Sequence, residues 1–238
     1  ITMFSKYSCL FVFMDTLNKC QRNDHECGKK LLQKIMKDIA KTGIPEIGIP
    51  PIDPIHLKNT TVKVLDLMEF TLIEGTAKGI EKCIYNKFEF EYLNTNRAFV
   101  DLTCDIVVKG KYKLFSSSPL LKNLLNGDSV RGNGNGKVKK VNLKLYFFYD
   151  TETRNGDTYV KFDSNKTKYD FDVKGNMKFS ADNIYVGEQE SIGLLNQNWR
   201  MLMTSFGKPF MDKAMTYVLE FMEKFYSGIP TKYFIASS

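Results

Sequence analysis

The stretch AFVDLTCDIVVKGKYKL, which runs from Ala98 to Leu114, decides the fold because apolar and polar residues alternate along most of its length. A period of two residues is typical of a β-strand with one buried face. Strands usually contain about five or six residues, whereas the apolar face here continues over about fifteen. We therefore predict a long strand in a long, strongly curved sheet.

The same alternation continues on both sides of this stretch. Two upstream runs, from Thr61 to Ile73 and from Ile80 to Leu93, are predicted strands of the same sheet. Downstream the pattern returns between Val141 and Tyr149. After a hairpin signal at Asn155 and Gly156 it continues between Tyr159 and Val173.

A glycine-rich segment, RGNGNGK from Arg131 to Lys137, interrupts this pattern. It precedes a strand instead of opening a helix, and its glycine spacing does not fit a dinucleotide-binding loop. We predict a flexible hairpin turn for this segment.

Helical periodicity precedes and follows the strands. Between Leu31 and Ile39 apolar residues recur every three or four positions with lysines opposite, and Gly43 marks the end of this helix. From Glu188 the helical period returns, and the stretch from Glu190 to Gly228 continues it over about 38 residues, a helical length of about 57 Å. Gly207 and Pro209 lie in the middle, so a single bent helix and two helices at an angle both stay open.

The segment GIPEIGIPPIDPIHL, Gly43 to Leu57, has too many prolines for a helix interior or a central strand. We call it the strap and predict that it is extended. Its five isoleucines predict that it lies on an apolar surface, which it covers.

Length and composition indicate one globular domain. The chain has 238 residues, of which 43% are apolar and 26% charged. Its 18 Phe and 12 Tyr supply more ring surface than an ordinary core of this size uses, so a Phe-rich core and an aromatic-lined cavity are both open interpretations.

The net charge of +7 arises from lysines spread along predicted strands, as between Lys137 and Leu145. Such a pattern is typical of a solvated sheet face whose lysines discourage edge pairing. We predict no nucleic-acid partner, because no recognition helix or stacking motif accompanies the charge. Weak attraction to an anionic membrane surface stays open.

The N-terminus favours export. Lys6 precedes an apolar run from Cys9 to Met14, and we predict that residues 1–18 are the remnant of a secretory signal peptide. The alternative is an N-terminal extension that packs apolar residues against the domain. If the chain is secreted, Asn59 in NTT and Asn165 in NKT are glycosylation acceptors.

Five cysteines are present, and Cys9 would leave with the signal peptide. Cys20 and Cys27 bracket a short polar loop, which leaves open a disulfide and a zinc site that would include His25 but lacks a fourth ligand. Cys104 is on the apolar face of its predicted strand and Cys83 on the polar phase of the preceding one. We therefore predict two free thiols there, and no metal site.

The sequence argues against an enzyme. Its only histidines are His25 and His56, and no serine, cysteine or carboxylate group has motif-level spacing around either. We predict no catalytic residue and no cofactor.

Several of these features together resemble the insect takeout and juvenile-hormone-binding protein family. The resemblance covers about Cys20 to Tyr226, and its most specific parts are the strap and the segment from Asp182 to Trp199. It implies an α+β fold in which a highly curved antiparallel sheet wraps a long C-terminal helix and encloses an elongated apolar tunnel. It also implies a domain at residues 19–228, a C-terminal tail at 229–238 and a disulfide between Cys20 and Cys27.

The last cysteine is Cys104, so the later second disulfide of the hormone carriers cannot form. The chain therefore resembles the takeout branch more closely, and juvenile hormone itself is a doubtful ligand.

The resemblance implies a secreted, monomeric carrier of a small elongated hydrophobic molecule, such as a terpenoid or a fatty-acid derivative. Either Tyr149 or Tyr112 would donate a hydrogen bond to an ester, epoxide or carboxylate, and the sequence does not select between them. The alternative is a protein of the same fold that acts at a membrane surface or a receptor without a soluble-carrier role. Candidate lining residues are Val100, Leu102, Ile106, Val108, Leu143, Leu145, Phe147, Tyr149, Phe171, Leu195, Trp199, Met203 and Phe206.

Overall fold

An eight-stranded antiparallel sheet and one long helix form most of the molecule. The computed structural model describes residues 4–91, 96–119, 122, 128–183, 185–186, 189–190 and 192–236. The strands are β1 (Ile55–Val64), β2 (Met68–Lys78), β3 (Ile84–Glu91), β4 (Arg97–Ser116), β5 (Ser129–Arg154), β6 (Asp157–Phe162), β7 (Lys168–Val173) and β8 (Met177–Ala181), with a separate pair β9 (Tyr185–Val186) and β10 (Gln189–Glu190). The helices are α1 (Phe4–Asp15), α2 (His25–Asp38), α3 (Ile192–Gln197) and α4 (Trp199–Gly228).

Two very long strands organise the sheet. β4 has 20 residues and β5 has 26, which confirms the predicted long strand around Ala98 to Leu114. The strand order is β1-β2-β4-β5-β6, with β3 also paired to β4, and with β7 and β8 also paired to β5. Because β5 is so long, three short strands share its second edge along successive segments.

Local turns follow the sequence signals only in part. The Asn155–Gly156 hairpin is confirmed, since both residues have positive φ, 52° and 83°, and Arg154 pairs with Asp157. The run from Thr61 to Ile73 is two strands, because Leu65 and Asp66 adopt φ values of 49° and 48° in a turn. The run from Ile80 to Leu93 opens with a 3-10 turn before β3 begins.

The predicted hairpin turn at Arg131 to Lys137 is wrong, because these residues lie inside β5. Gly132 pairs with Tyr112 of β4, and a Cβ atom at Gly132 or Gly134 would lie 3.2 Å from the Tyr112 ring. The glycines therefore make room for a ring that lies against the sheet, a role that spacing alone does not reveal.

Both margins of the sheet reach the same part of α4. The hydroxyls of Thr60 on β1 and Tyr217 are 3.2 Å apart, and the hydroxyl of Tyr169 on β7 donates to Asp212 at 2.5 Å. Asp212 and Tyr217 are five residues apart, about 7.5 Å along a helix. The sheet is therefore curled around the helix, which confirms the predicted fold class. α4 continues through Gly207 and Pro209, so these two residues do not divide it. The predicted helical stretch from Glu188 is nevertheless not a single helix, because Gln189–Glu190 form β10 and α3 ends at Gln197, before α4 begins at Trp199.

The strap lies on apolar surface as predicted, although it is less extended. Pro45–Ile47 form a 3-10 turn, and Ile44 pairs with Ile49 in an isolated bridge. Ile44 and Ile49 are 3% and 1% exposed. Asp53, after the turn, accepts hydrogen bonds from the amides of Gly79 and Glu81 at 3.0 and 2.9 Å, which ties the strap to the start of β3.

Both chain ends pack against the domain. Met14 and Leu17 are buried in the main core, and Ile229 is fully buried. Cys20 pairs with Ile235 in a parallel bridge. The division at residues 18 and 228, and the signal-peptide origin of the first segment, stay predictions.

The chain contains two disulfides, of which sequence reasoning anticipated one. Cys20 and Cys27 are bonded with Cα atoms 5.6 Å apart, so neither sulfur is available for the alternative zinc site. Cys83 and Cys104 are also bonded, with Cα atoms 4.4 Å apart, and the predicted free thiols are wrong. The cause is a register shift in β3 between Tyr85 and Lys87.

Before this shift Cys83 and Tyr85 point inward, and after it Phe88 and Phe90 do. Ile84, which the uninterrupted pattern would bury, is 63% exposed.

Candidate ligand-binding site

The apolar interior consists of two separate packed clusters. The larger combines α2, the strap, the second half of α4 and the parts of β4 and β5 near Ala98 and Phe147. The smaller contains Leu72, Tyr112 and Val130 at the other end of the long strands. None of the described side chains of residues 192–210, which include the first part of α4, belongs to either cluster.

The predicted lining residues are divided between these environments. Ile106 and Phe171 are half-buried against the larger cluster, and Val108 packs against the smaller one. The strands bring six others together as buried members of the larger cluster: Val100, Leu102, Leu143, Leu145, Phe147 and Tyr149.

The inward face of α4 is only partly covered. Of its 30 residues, Gly207, Met215 and Phe225 are the buried ones. An amphipathic helix on a filled core ordinarily buries a continuous stripe. The four predicted residues of α3 and α4 are all half-buried and lie outside both clusters: Leu195, Trp199, Met203 and Phe206.

A side-chain amide fixes α3 against the sheet. Asn196 accepts from the amide of Phe179 at 2.6 Å and donates to the carbonyl of the same residue at 2.9 Å. The Asn196 side chain thus bonds the backbone of β8 as a neighbouring strand would. This contact sets the distance between β8 and the start of α4.

A cavity of about 70 Å³ lies at the end that carries the Cys20–Cys27 disulfide. Its lining includes none of the thirteen predicted lining residues. The prediction used the periodicity of single strands and one helix, whereas this cavity is formed by segments that are distant in sequence. Its walls are residues 20–25 of the disulfide loop, Gly28, Leu31, Leu32 and Ile35 of α2, Phe88 and Phe90 of β3, Phe225 and Tyr226 of α4, and Phe234 and Ile235.

An open groove of about 710 Å³ runs between β7 and α4. It contains one predicted residue, Phe171, together with Tyr146, residues 167–170 and Lys208. Beside it Asp212 accepts hydrogen bonds from Lys208 at 2.8 Å and from Tyr169. The ammonium group of Lys208, followed by the hydroxyl of Tyr169, lowers the pKa of the Asp212 carboxyl, and burial raises the pKa of Tyr169. We call these three residues the clasp, because they join the margin of the sheet to the helix.

Neither tyrosine proposed as a hydrogen-bond donor has a free proton. The hydroxyl of Tyr149 donates to the carbonyl of Glu91 at 2.6 Å, and that of Tyr112 donates to the carbonyl of Asp182. Burial, and then the charge of Asp182, raise the pKa of Tyr112 to about 12. Both hydroxyls serve the structure of the protein itself.

The histidines lie apart from each other, His25 at the first residue of α2 and His56 on β1. Within the described residues, no group of three or more His, Cys, Asp and Glu side chains could hold a metal ion. Asn59 and Asn165 are both exposed, and their glycosylation stays a prediction. No helix among the described residues is long and apolar enough to cross a bilayer.

A curled antiparallel sheet around one long helix, with apolar side chains lining the space between them, defines the class of this protein. The chain matches the haemolymph juvenile hormone binding protein (JHBP) family over residues 2–236 and belongs to it.

One solved structure agrees with this assignment. The crystal structure of Epiphyas postvittana Takeout 1 is similar, with a TM-score of 0.79 and 25% sequence identity, covering 92% of this chain and 99% of that one. This supports the takeout branch. A lipopolysaccharide binding protein gives a TM-score of 0.38 at 13% identity, over 84% of this chain and 36% of that one. No curated protein sequence matches the chain significantly.

Proposed function

We propose that this protein is a secreted carrier that holds an elongated hydrophobic molecule between its curled sheet and α4. Membership in a family named for binding juvenile hormone supports this class of function. The two disulfides fit an oxidising extracellular compartment. The takeout-like cysteine pattern favours a lipid or terpenoid other than juvenile hormone.

The observation that carries the proposal is the partly covered inward face of α4. Met203 and Phe206 are half-buried outside either packed cluster, and Met203 lies beside Gly207 together with Phe171 of β7. Side chains that are inside a molecule and still accessible border space instead of other atoms. A ligand that fills this space would remove apolar surface from water at about 25 cal/mol per Å².

The total surface area agrees with an incompletely filled interior. A folded monomer of 27.4 kDa has about 11,000 Å² of accessible surface, whereas this chain has 14,345 Å². An elongated shape and an internal hollow both raise this value. The groove beside the clasp, between β7 and α4, is the proposed entrance.

Filling the space between the curled sheet and α4, which we call the hollow, should weaken ligand uptake. Gly136 faces inward on β5, and a Cβ atom there would meet only the Phe179 ring, at 3.9 Å. We expect Gly136→Leu to fold normally and to bind a fluorescent fatty-acid probe at least tenfold more weakly than the wild type, because the leucine occupies ligand space. Fluorescence titration measures this.

The matched control is the outward-facing neighbour. Lys137 is exposed on the same strand, so Lys137→Leu adds a similar side chain outside the hollow and should leave uptake unchanged. Equal uptake by the wild type and Gly136→Leu would contradict an internal site, and absence of uptake by the wild type would contradict the carrier function.

A second candidate function, attachment to anionic membranes, is favoured by the outer face of the sheet. Lys113 pairs directly with Arg131, and Lys137 with Lys178, so like charges face each other across strands at a cost in stability. None of these four cations has an ion pair among the described residues. Glu69 and Glu74 are the acidic residues of the adjoining β2, so positive charge predominates.

Exposed apolar side chains lie at the adjacent end of the sheet. Leu65, Leu67 and Phe115 are 61%, 41% and 42% exposed, and Ser116 donates to the carbonyl of Leu67 at 2.9 Å, which holds the β1–β2 turn beside the end of β4. Apolar tips flanked by cations are suited to the interface of an anionic bilayer. A carrier could use this surface while loading or unloading lipid.

Removing the charges of the Lys113–Arg131 pair should weaken attachment to anionic membranes. We expect Lys113→Gln with Arg131→Gln to bind phosphatidylserine vesicles about thirtyfold more weakly at low salt, since each of the two cations near such a surface contributes about 1 kcal/mol. Vesicle sedimentation measures this. The control, Lys87→Gln with Lys174→Gln, removes the same charge from cations paired with Glu89 and Asp172 and should change binding little. Equal losses in both variants would indicate an effect of net charge only.

A further inference from the structure

One short strand of the curled sheet has an edge that no other described strand covers. β7 pairs with β5 on one side and with no described strand on the other. The strands before and after it are both contacted by other segments. The side chain of Asn196 bonds the backbone of Phe179 in β8, and β6 lies against the C-terminal turn at Thr231–Tyr233. Proteins ordinarily cover or blunt such edges, because their unpaired groups attract other strands.

The unpaired groups of this edge are the backbone N–H and C=O of Tyr169 and Phe171, and we call these four groups the bare edge. The amide of Lys174, just after β7, donates to the opposite carbonyl of β5. Hydrogen-bonded and non-hydrogen-bonded pairs alternate along antiparallel strands, so Asp172 and Asp170 also bond to β5. The groups of the bare edge therefore point away from β5, where no described residue bonds them.

The open groove between β7 and α4 follows the bare edge. Its lining includes the five consecutive residues 167–171, and since neighbouring side chains of a strand point to opposite faces, the groove runs along the backbone. The backbones of β6 and β8 approach α4 more closely than that of β7 does. β7 reaches the helix through side chains, by the hydrogen bond of Tyr169 to Asp212 and by the Phe171 ring beside Gly207. Both rings are on the half-buried inner face of β7, so they do not cover its edge.

The side chains next to the bare edge define the chemistry of a partner. Lys168, Asp170 and Asp172 alternate on the outer face of β7 and are exposed. Asp172 is paired with Lys174. Neither Lys168 nor Asp170 has an ion pair among the described residues. A complementary strand therefore has a basic residue opposite Asp170 and an acidic one opposite Lys168, with β-branched residues opposite the two rings of the inner face.

We infer that the bare edge of β7 is a docking surface for an extended segment of a partner protein, which adds to the sheet as one more antiparallel strand. The backbone bonds hold the segment, and the charges of Lys168 and Asp170 select its sequence and register. This surface does not depend on the carrier function proposed above. Because the groove is also the proposed entrance, a docked segment would cover it and would couple partner binding to ligand exchange.

The probe is the fluorescein-labelled peptide acetyl-Thr-Arg-Val-Lys-Val-Glu-Thr-amide, which in antiparallel pairing places its lysine opposite Asp170 and its glutamate opposite Lys168. Fluorescence anisotropy measures its binding to the full chain. The two valines then lie opposite Tyr169 and Phe171. We expect N-methylation of both valines to weaken binding about thirtyfold, because two backbone hydrogen bonds are lost while every side chain is kept. Equal binding of the two peptides, or no binding of the unmethylated one, overturns the inference.

A charge reversal tests the register. We expect Asp170→Lys to bind the probe about fivefold more weakly, and to bind a peptide with glutamate in place of the central lysine more tightly than the wild type does. Asp150→Lys is the matched control, because Asp150 is also exposed but lies on β5 outside the groove. It should bind the probe as the wild type does. Equal losses in both variants would indicate attraction by net charge only and would overturn docking at β7.

Amide hydrogen exchange followed by NMR tests the bare edge without any partner. In the free protein the amides of Tyr169 and Phe171 should exchange faster than those of Asp170 and Asp172, and the probe should slow them. Slow exchange of all four amides at low protein concentration would show that the edge is already covered, which overturns the inference. Protection that rises with protein concentration would assign the edge to a second copy of this chain and would also overturn docking of a partner segment.

Discussion

Gly43→Ala is expected to destabilise the protein by about 4 kcal/mol or more, an exceptional effect for the addition of one methyl group. Gly43 has a φ of 65° and closes the turn that follows α2, since its amide donates to the carbonyl of Ile39 at 2.8 Å. A Cβ atom there would lie 2.2 Å from the carbonyl oxygen of Ile49 and 2.5 Å from the carbonyl carbon of Pro50. Backbone atoms cannot rotate away, so the strap must move off the core that it covers.

Gly48→Ala is the matched control within the same strap. Its φ of 72° is as unfavourable for alanine as that of Gly43, but the nearest atom to its Cβ position is the end of the Lys224 side chain at 4.0 Å. We expect a loss of only about 1 kcal/mol, the cost of the left-handed conformation. Urea unfolding gives both values, with the m-value as a check on two-state behaviour. Similar losses in the two variants would mean that the strap is not closely packed.

Sequence periodicity predicted the helices and strands of this fold better than it predicted which residues of neighbouring strands pair. The long strand, the two helices and the Asn155–Gly156 hairpin were predictable because each depends on local chemistry. Which residues of a strand face inward was not predictable over its whole length, because an extra residue in one strand reverses the alternation beyond that point. Shifts between Tyr85 and Lys87 in β3 and between Cys104 and Ile106 in β4 are fixed by pairing with distant strands.

The candidate site illustrates the same limit. Alternation correctly placed residues such as Val100 and Leu145 on the inward face, but a period of two cannot distinguish an inward residue that packs from one that borders space. The cavity at the disulfide end was not predicted, because its lining residues, among them Phe88, Tyr226 and Phe234, come from segments that are distant in sequence. Only the complete list of contacts shows which tyrosine protons are already used.

The Cys83–Cys104 disulfide should contribute about 3 kcal/mol to stability. It closes a loop with a sequence separation of 21, and the constraint that it places on the unfolded chain is of that size. It also holds the start of β3 against the middle of β4, where Gln33 of α2 donates to the carbonyl of Cys83 at 2.9 Å. We expect Cys83→Ala with Cys104→Ala to fold, because both side chains are small and buried, and to unfold at a clearly lower urea concentration.

A thiol count separates this arrangement from one with free cysteines at 83 and 104. In the full 238-residue chain, which keeps Cys9, two disulfides leave one reactive thiol after denaturation without reductant, whereas the Cys20–Cys27 disulfide alone would leave three. In reductant the wild type should lose its advantage over the double variant, because its own cross-link is then broken. A count of three thiols, or equal stability of the oxidised wild type and the double variant, would contradict the second disulfide.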